Sequence, residues 1–332
     1  MKKRTISFGV LIIALIATYS IVDLVIEPPA TREPASVPSN YESMKACEKQ
    51  DVLWSKIEES AYKELPPNRE FGMFQLMAMS KQEVGIKGTN YSDFAPTGWK
   101  KYLHGRASIA KVKLVPVAGT KYTGLLQSGA ECGLLRVSLT YKPTGSRPVA
   151  PGLAFKIFRD GNPSTNISAL VSLDGQGEDY NFFKYPLSNI VPVGDGFGQK
   201  MVHKIFLTAT KYPEELGAHE FGEMDVHGQK VAEPVSPRQL FFVPGPGLSF
   251  PSTPHELRED YAKIPAGTVI YQVFAAPEKY NSFNYLMEYQ PANAPNFLKE
   301  SEHIADIVTT SSFVASQFGD DGIFFRHQLR PK

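Results

Sequence analysis

Hydrophobic positions along the chain change their period twice, and each change marks a different kind of structure. Thr5 to Val22 carries eighteen residues without a charge, preceded by Lys2-Lys-Arg4 and followed by Asp23 and the apolar Leu24-Val-Ile26. At about 1.5 Å per residue such a run crosses most of a hydrocarbon core of about 30 Å. It is expected to be one N-terminal transmembrane helix or a cleaved signal peptide, over residues 1–26. The basic flank stays cytoplasmic, so the rest of the chain is expected outside, periplasmic or extracellular, and secreted if the segment is cleaved. Residues 27–40 hold four prolines and few large apolar side chains, the composition of an extended spacer. Glu42 to Leu65 then has neither Gly nor Pro, and Met44, Cys47, Leu53, Ile57, Ala61 and Leu65 recur at helical spacing. This predicts an amphipathic helix stopped by Pro66-Pro67, with a second, shorter helix over 70–79.

From about residue 105 the period becomes two. Ala110, Val112 and Leu114 alternate with Lys111 and Lys113, and short β-type runs follow at 134–141, 153–159, 167–173, 201–209, 239–243, 268–275, 283–290 and 305–310. Gly, Pro and Asn separate them, which predicts an antiparallel barrel or sandwich with long connections, one domain over 41–332. Composition agrees: 42% hydrophobic residues can fill a large core, and 26 Gly with 26 Pro supply turns. With 35 Lys plus Arg against 34 Asp plus Glu, the net charge of +1 creates no field for a polyanion, so nucleic acid is not expected as a partner. Two cysteines exclude a disulfide framework and a four-thiolate zinc site, and Cys47 and Cys132 are free to pair outside the cytoplasm.

Candidate chemistry begins on the strand 134–141. Leu135, Val137, Leu139 and Tyr141 share one face, and Arg136, Ser138 and Thr140 share the other. The polar stripe reads either as a solvated face or as the inward lining of a cofactor pocket in a barrel. His219-Glu-Phe-Gly-Glu-Met-Asp-Val-His227 would align His219, Glu223 and His227 on one helical face, but Gly217, Gly222 and Gly228 favour an acidic loop, and no metal site is expected. Gly194-Asp-Gly-Phe-Gly198 lacks the strand and helix context of a nucleotide loop. Asn90 and Asn166 fit the N-glycosylation pattern. Phe318 to Gln328 reads as a turn entering a final strand, with Asp320 and Asp321 pairing with Arg326.

In order along the chain stand His104-Gly-Arg106, Arg136-Val-Ser138, Gly152-Leu-Ala-Phe-Lys-Ile-Phe158, Asp160-Gly-Asn162 and Asn181-Phe-Phe183. This succession resembles the motif order of the haem catalase superfamily, and of its smaller catalase-related members, over residues 100–190. The resemblance implies an α+β fold: an antiparallel catalase-like β-barrel with flanking helices, built to hold haem. Carried over residue by residue, it implies His104 as the distal acid/base, Ser138 as the group orienting its ring, Asn181 or Asn166 as a polariser of the peroxide, and Arg136 as a partner of a haem propionate or a buried structural charge. The chain departs from the family at the axial ligand. None of its arginines has a Tyr four residues later; the nearest spacing is Arg238-Gln-Leu-Phe-Phe242. A phenyl ring cannot ligate iron, so the guanidinium-supported phenolate is missing. Two functions follow as expectations. One is a membrane-tethered, haem-dependent peroxidase acting on hydrogen peroxide or lipid hydroperoxides. The other is a haem-free barrel that binds an apolar ligand or a protein partner.

Overall fold

In the computed structural model the described residues are 36–66, 70–71, 93–95, 101, 104–139, 142–143, 151–171, 180–184, 186–189, 220–237, 239–277 and 298–325. Their strands are β1 (Glu70–Phe71), β2 (Arg106–Pro116), β3 (Ala130–Leu139), β4 (Lys142–Pro143), β5 (Pro151–Arg159), β6 (Asn162–Val171), β7 (Leu187–Ser188), β8 (Leu240–Pro244), β9 (Val269–Ala275) and β10 (Glu302–Thr309). Eight of them form an antiparallel sheet in the order β10-β2-β3-β5-β6-β7-β8-β9, which curls until β10 pairs with β9 as well as with β2. The wall is thin at β7, which contributes only Leu187 and Ser188. β1 and β4 make a separate parallel pair.

The expected strands are found wherever the described residues cover them; the runs at 201–209 and 283–290 lie outside. Residues 5–26 also lie outside, and no helix among the described residues is long and apolar enough to cross a membrane. The helix expected over 70–79 is corrected at its start, because Glu70 and Phe71 pair with Lys142 and Pro143; residues 72–79 lie outside.

The helix expected over 42–65 is shorter. A 3-10 turn at Tyr41–Ser43 leads into α1 (Ala46–Glu59). Two acidic groups satisfy its first amides: Glu48 Oε2 accepts from Lys45 N at 3.0 Å, and Asp160 Oδ1 accepts from Ala46 N at 2.9 Å. Asp160 can reach that position because Gly161, at φ +57°, turns β5 tightly into β6. The helix stops before Pro66 because the next segment finds a better partner: Ala61 bridges Ser316, and Tyr62 N donates to Ala315 O at 3.0 Å. The remaining short helices are α2 (Leu125–Ser128), α3 (Glu220–Glu223), α4 (Leu257–Ala262) and α5 (Gln317–Asp321). Helix α5 replaces the turn expected after Phe318; Ser316 Oγ caps it by accepting from Gly319 N at 2.9 Å.

Alternation divides each wall strand between two cores. Leu135, Val137 and Leu139 of β3 join Ala110 and Val112 of β2, Leu153 and Phe155 of β5, Phe242 of β8 and Val273 of β9 in the barrel interior. The opposite face of β2, β3 and β5 offers Ile109, Leu134, Ala154 and Phe158, which pack under Leu53, Trp54 and Ile57 of α1 and under Phe94, Phe318 and Phe325. The disulfide Cys47–Cys132, with Cα atoms 5.1 Å apart, ties α1 to β3 across this second layer.

Candidate functional site

The polar stripe of β3 does not line the barrel interior. Arg136 and Ser138 alternate with the interior residues, so they face outward, into the layer beneath α1 and α5. The reading of an inward polar lining is corrected on this point: the interior is taken by apolar side chains, and a second layer buries the polar face instead. Arg136 is 1% exposed and Ser138 5%.

On this covered face His104 meets Ser138, thirty-four positions further on, with Nδ1 3.2 Å from Oγ. Ser138 Oγ also lies 3.4 Å from the Gly152 carbonyl, which stands directly opposite it on β5. A hydroxyl that donates to Gly152 has only a lone pair left for the ring, so the network assigns the proton to Nδ1 and leaves Nε2 as the basic nitrogen. The loop is fixed from the other side, where Arg136 Nη2 donates to the His104 carbonyl at 2.6 Å. The same nitrogen donates to Asp320 Oδ1 at 3.2 Å, and Arg136 Nε donates to the Gly319 carbonyl at 3.2 Å. Asp320 therefore pairs with Arg136; Arg326, the partner expected from sequence, lies outside the described residues. Tyr62 Oη donates to Asp320 Oδ2 at 3.1 Å.

A second buried pair occupies the other end of the face. Lys156 Nζ donates to Asp93 Oδ1 at 2.8 Å and to Ser164 Oγ at 2.9 Å, Ser164 Oγ donates to Asp93 Oδ1, and Tyr41 Oη donates to Asp93 Oδ2 at 2.9 Å. Burial pushes the Asp93 carboxyl up, but Lys156 and the hydroxyls of Ser164 and Tyr41 outweigh it and hold the group below its ordinary value. At Asp320 burial wins: against Arg136, and with Asp321 adding repulsion, its carboxyl is pushed up to about 7.

Of the other residues singled out from sequence, neither asparagine joins the pair of His104 and Ser138. Asn166 lies opposite Lys156 in the ladder, two side-chain rows away from Ser138, and donates to the carbonyl and hydroxyl of Ser164. It is 2% exposed, a poor acceptor for glycosylation. Asn181 works in the cap of the barrel, donating to Ser249 Oγ at 3.2 Å and accepting from Phe250 N at 3.0 Å. His227 binds Asp160, with Nδ1 3.1 Å from Oδ2, in the loop after α3; His219 lies outside the described residues.

Sequence reading missed Asp93 and Tyr62, and it marked Asp320 as a structural ion-pair residue without its partner Arg136. Lys156 offered a signal, because its neighbours on both faces of β5 are apolar and a lysine there requires a buried acid. Nothing local ties Asp320 to Arg136, which lies 184 positions earlier.

A haem needs room and an axial ligand. The barrel end next to His104 is closed by rings: Phe183 lies 4.5 Å from Phe250 and 5.5 Å from Tyr261, and Tyr261 lies 5.0 Å from Phe313, centroid to centroid. The tyrosines there are poor phenolates. Burial raises Tyr271 to about 12, and Tyr261, donating to Tyr271, is raised well above the ordinary value. Tyr41 and Tyr62 are also raised by burial, and each donates to a carboxylate. His104 and Ser138 form the pair that a distal site would use, but these tyrosines do not fit the axial half, and no cluster of metal-ligating side chains occurs among the described residues.

No family model matches the chain, and no curated protein is similar to it.

Proposed function

We propose that this chain is a membrane-tethered, extracytoplasmic catalase-like protein that binds haem and acts on hydrogen peroxide or organic hydroperoxides. The observation that carries the reading is the bond between His104 and Ser138. Motifs thirty-four residues apart, paired on resemblance alone, meet at 3.2 Å. Bound haem would supply the redox chemistry that cleaves the O–O bond. What the chain would contribute is proton handling: Nε2 of His104 would accept a proton from a hydroperoxide and return it to the leaving oxygen. Meanwhile Ser138, accepting from Nδ1–H, would orient the ring and favour that tautomer. Arg136 keeps the loop in register. The Cys47–Cys132 disulfide supports placement in an oxidising compartment, as the basic flank of residues 5–22 does.

Titrating the purified full chain with hemin in detergent tests the cofactor, a Soret band at one equivalent being the expected result. His104→Ala should lower peroxide consumption by about 10²-fold and leave the Soret titration largely intact; unchanged turnover rejects the assignment.

A second reading, a haem-free binding barrel, is favoured by the ring-filled barrel end and the raised phenols of Tyr261 and Tyr271. The absence of any Soret change on adding hemin selects it.

A further inference from the structure

We infer that Asp320 is a positioning residue for His104, acting through the Arg136 guanidinium; its bearing on catalysis rests on the peroxide reading above. Nη2 of Arg136 has two N–H groups and two acceptors, the His104 carbonyl at 2.6 Å and Asp320 Oδ1 at 3.2 Å. One nitrogen thus joins the loop entering β2 to helix α5, more than two hundred residues later. The small Ala154 beside Arg136 in the ladder leaves the guanidinium space to lie on the sheet. Helix α5 is itself anchored, since Phe318 N donates to Ser60 Oγ at 3.1 Å and Asp320 N to Ser316 O at 3.0 Å. The position of the distal ring therefore depends on how the C-terminal helix docks.

The charged and titratable groups acting on Asp320 come from every side: Arg136 on β3, Tyr62 after α1, Asp321 on its own helix and Arg258 on α4. Tyr62 and Arg258 also line an open cleft of about 770 Å³, together with Glu64, Glu256 and Phe313. Tyr62, which lines that cleft, donates to Asp320 and so links the buried carboxyl to it. With its carboxyl raised to about 7, Asp320 is ionised in mildly alkaline solution, where it anchors Arg136 as a charge. Below neutrality it is protonated, and the anchor weakens.

Nuclear magnetic resonance on the ligand-free full chain in detergent tests this without any cofactor. At pH 8, imidazole ¹⁵N signals of His104 should show a dominant Nδ1–H tautomer in the wild type. Asp320→Asn should cut that preference about 5-fold, the weight of roughly one hydrogen bond. The ¹³Cγ signal of Asp320 should titrate near 7, and Tyr62→Phe, which removes a donor to the ionised form, should move the midpoint upward. A folded Asp320→Asn chain with an unchanged His104 tautomer overturns the inference. So does an Asp320 midpoint in the ordinary carboxylate range. Failure of the peroxide reading looks different: wild type would take up no hemin, yet the His104 tautomer would still respond to Asp320→Asn.

Discussion

Two carboxylates lie on the same covered face, each buried and each beside a cation, and they end in opposite states. Asp93 receives Lys156, Ser164 and Tyr41 and stays ionised below the ordinary carboxylate range. Asp320 receives one guanidinium nitrogen and one phenol, has Asp321 as a neighbour, and is lifted to about 7. The cations are equivalent in charge, so the difference lies in how many donors replace the water each carboxylate lost. Three hydroxyl and ammonium donors convert the Asp93 end into a permanent tie. The Asp320 end, with a guanidinium nitrogen shared between two acceptors, is left responsive to pH.

The comparison breaks most visibly if the cations are removed. Lys156→Met strands a buried ionised Asp93 and should destabilise by about 3–5 kcal/mol in urea denaturation at pH 6. Arg136→Met at the same pH should cost less, because Asp320 then simply stays protonated; equal losses would show that the two ends do not differ.

Asp320→Asn sharpens the contrast through pH. A carboxyl whose folded value lies above its unfolded value binds its proton more tightly in the native state. Its contribution is therefore greatest at low pH and is lost as pH rises from about 4 to about 7. For a shift from 3.8 to about 7 that amounts to about 4 kcal/mol, and subtracting the stability curve of Asp320→Asn from that of the wild type should reveal it. Asp93 has the reverse sign: its stabilisation is complete above the ordinary carboxylate range and is lost only as pH falls through its lowered value. A flat difference curve between pH 4 and 7 would contradict the assignment of Asp320.

The disulfide reinforces the end that is already fixed, since Cys132 lies next to Gly133, in the rows leading to Lys156. Replacing both cysteines by serine should cost about 2–4 kcal/mol, read as a lower urea midpoint. The same substitution should leave the Asp320 titration in place. The smallest effect is expected at the entry to the face: Asp160→Ala removes the acceptor for Ala46 N and should cost about 1 kcal/mol, without altering either buried pair.

Much of this is legible in the sequence. The period-two runs located seven of the eight barrel strands, β7 being too short at two residues to leave a pattern. The alternation on β3 separated Arg136 and Ser138 from Leu135 and Val137 correctly, yet it could not say which set faces inward, because both faces are buried. The end of α1 was misjudged for a related reason. Residues 60–65 have helical character locally, but Ala61 and Tyr62 gain more by pairing with residues 315 and 316, a partner distant in sequence.

What the sequence by itself determined is the class of architecture and one pair of residues: a barrel made of alternating strands, a basic-flanked apolar N-terminus, and a histidine and a serine suited to each other. Tertiary structure alone decided that this pair lies outside the barrel wall, that Arg136 is shared with Asp320, and that Lys156 finds Asp93. Alternation is a local property of a strand and survives in one dimension. Desolvation and charge pairing depend on which distant segments cover a face, and that is settled only when α1 and the C-terminal helix close over it.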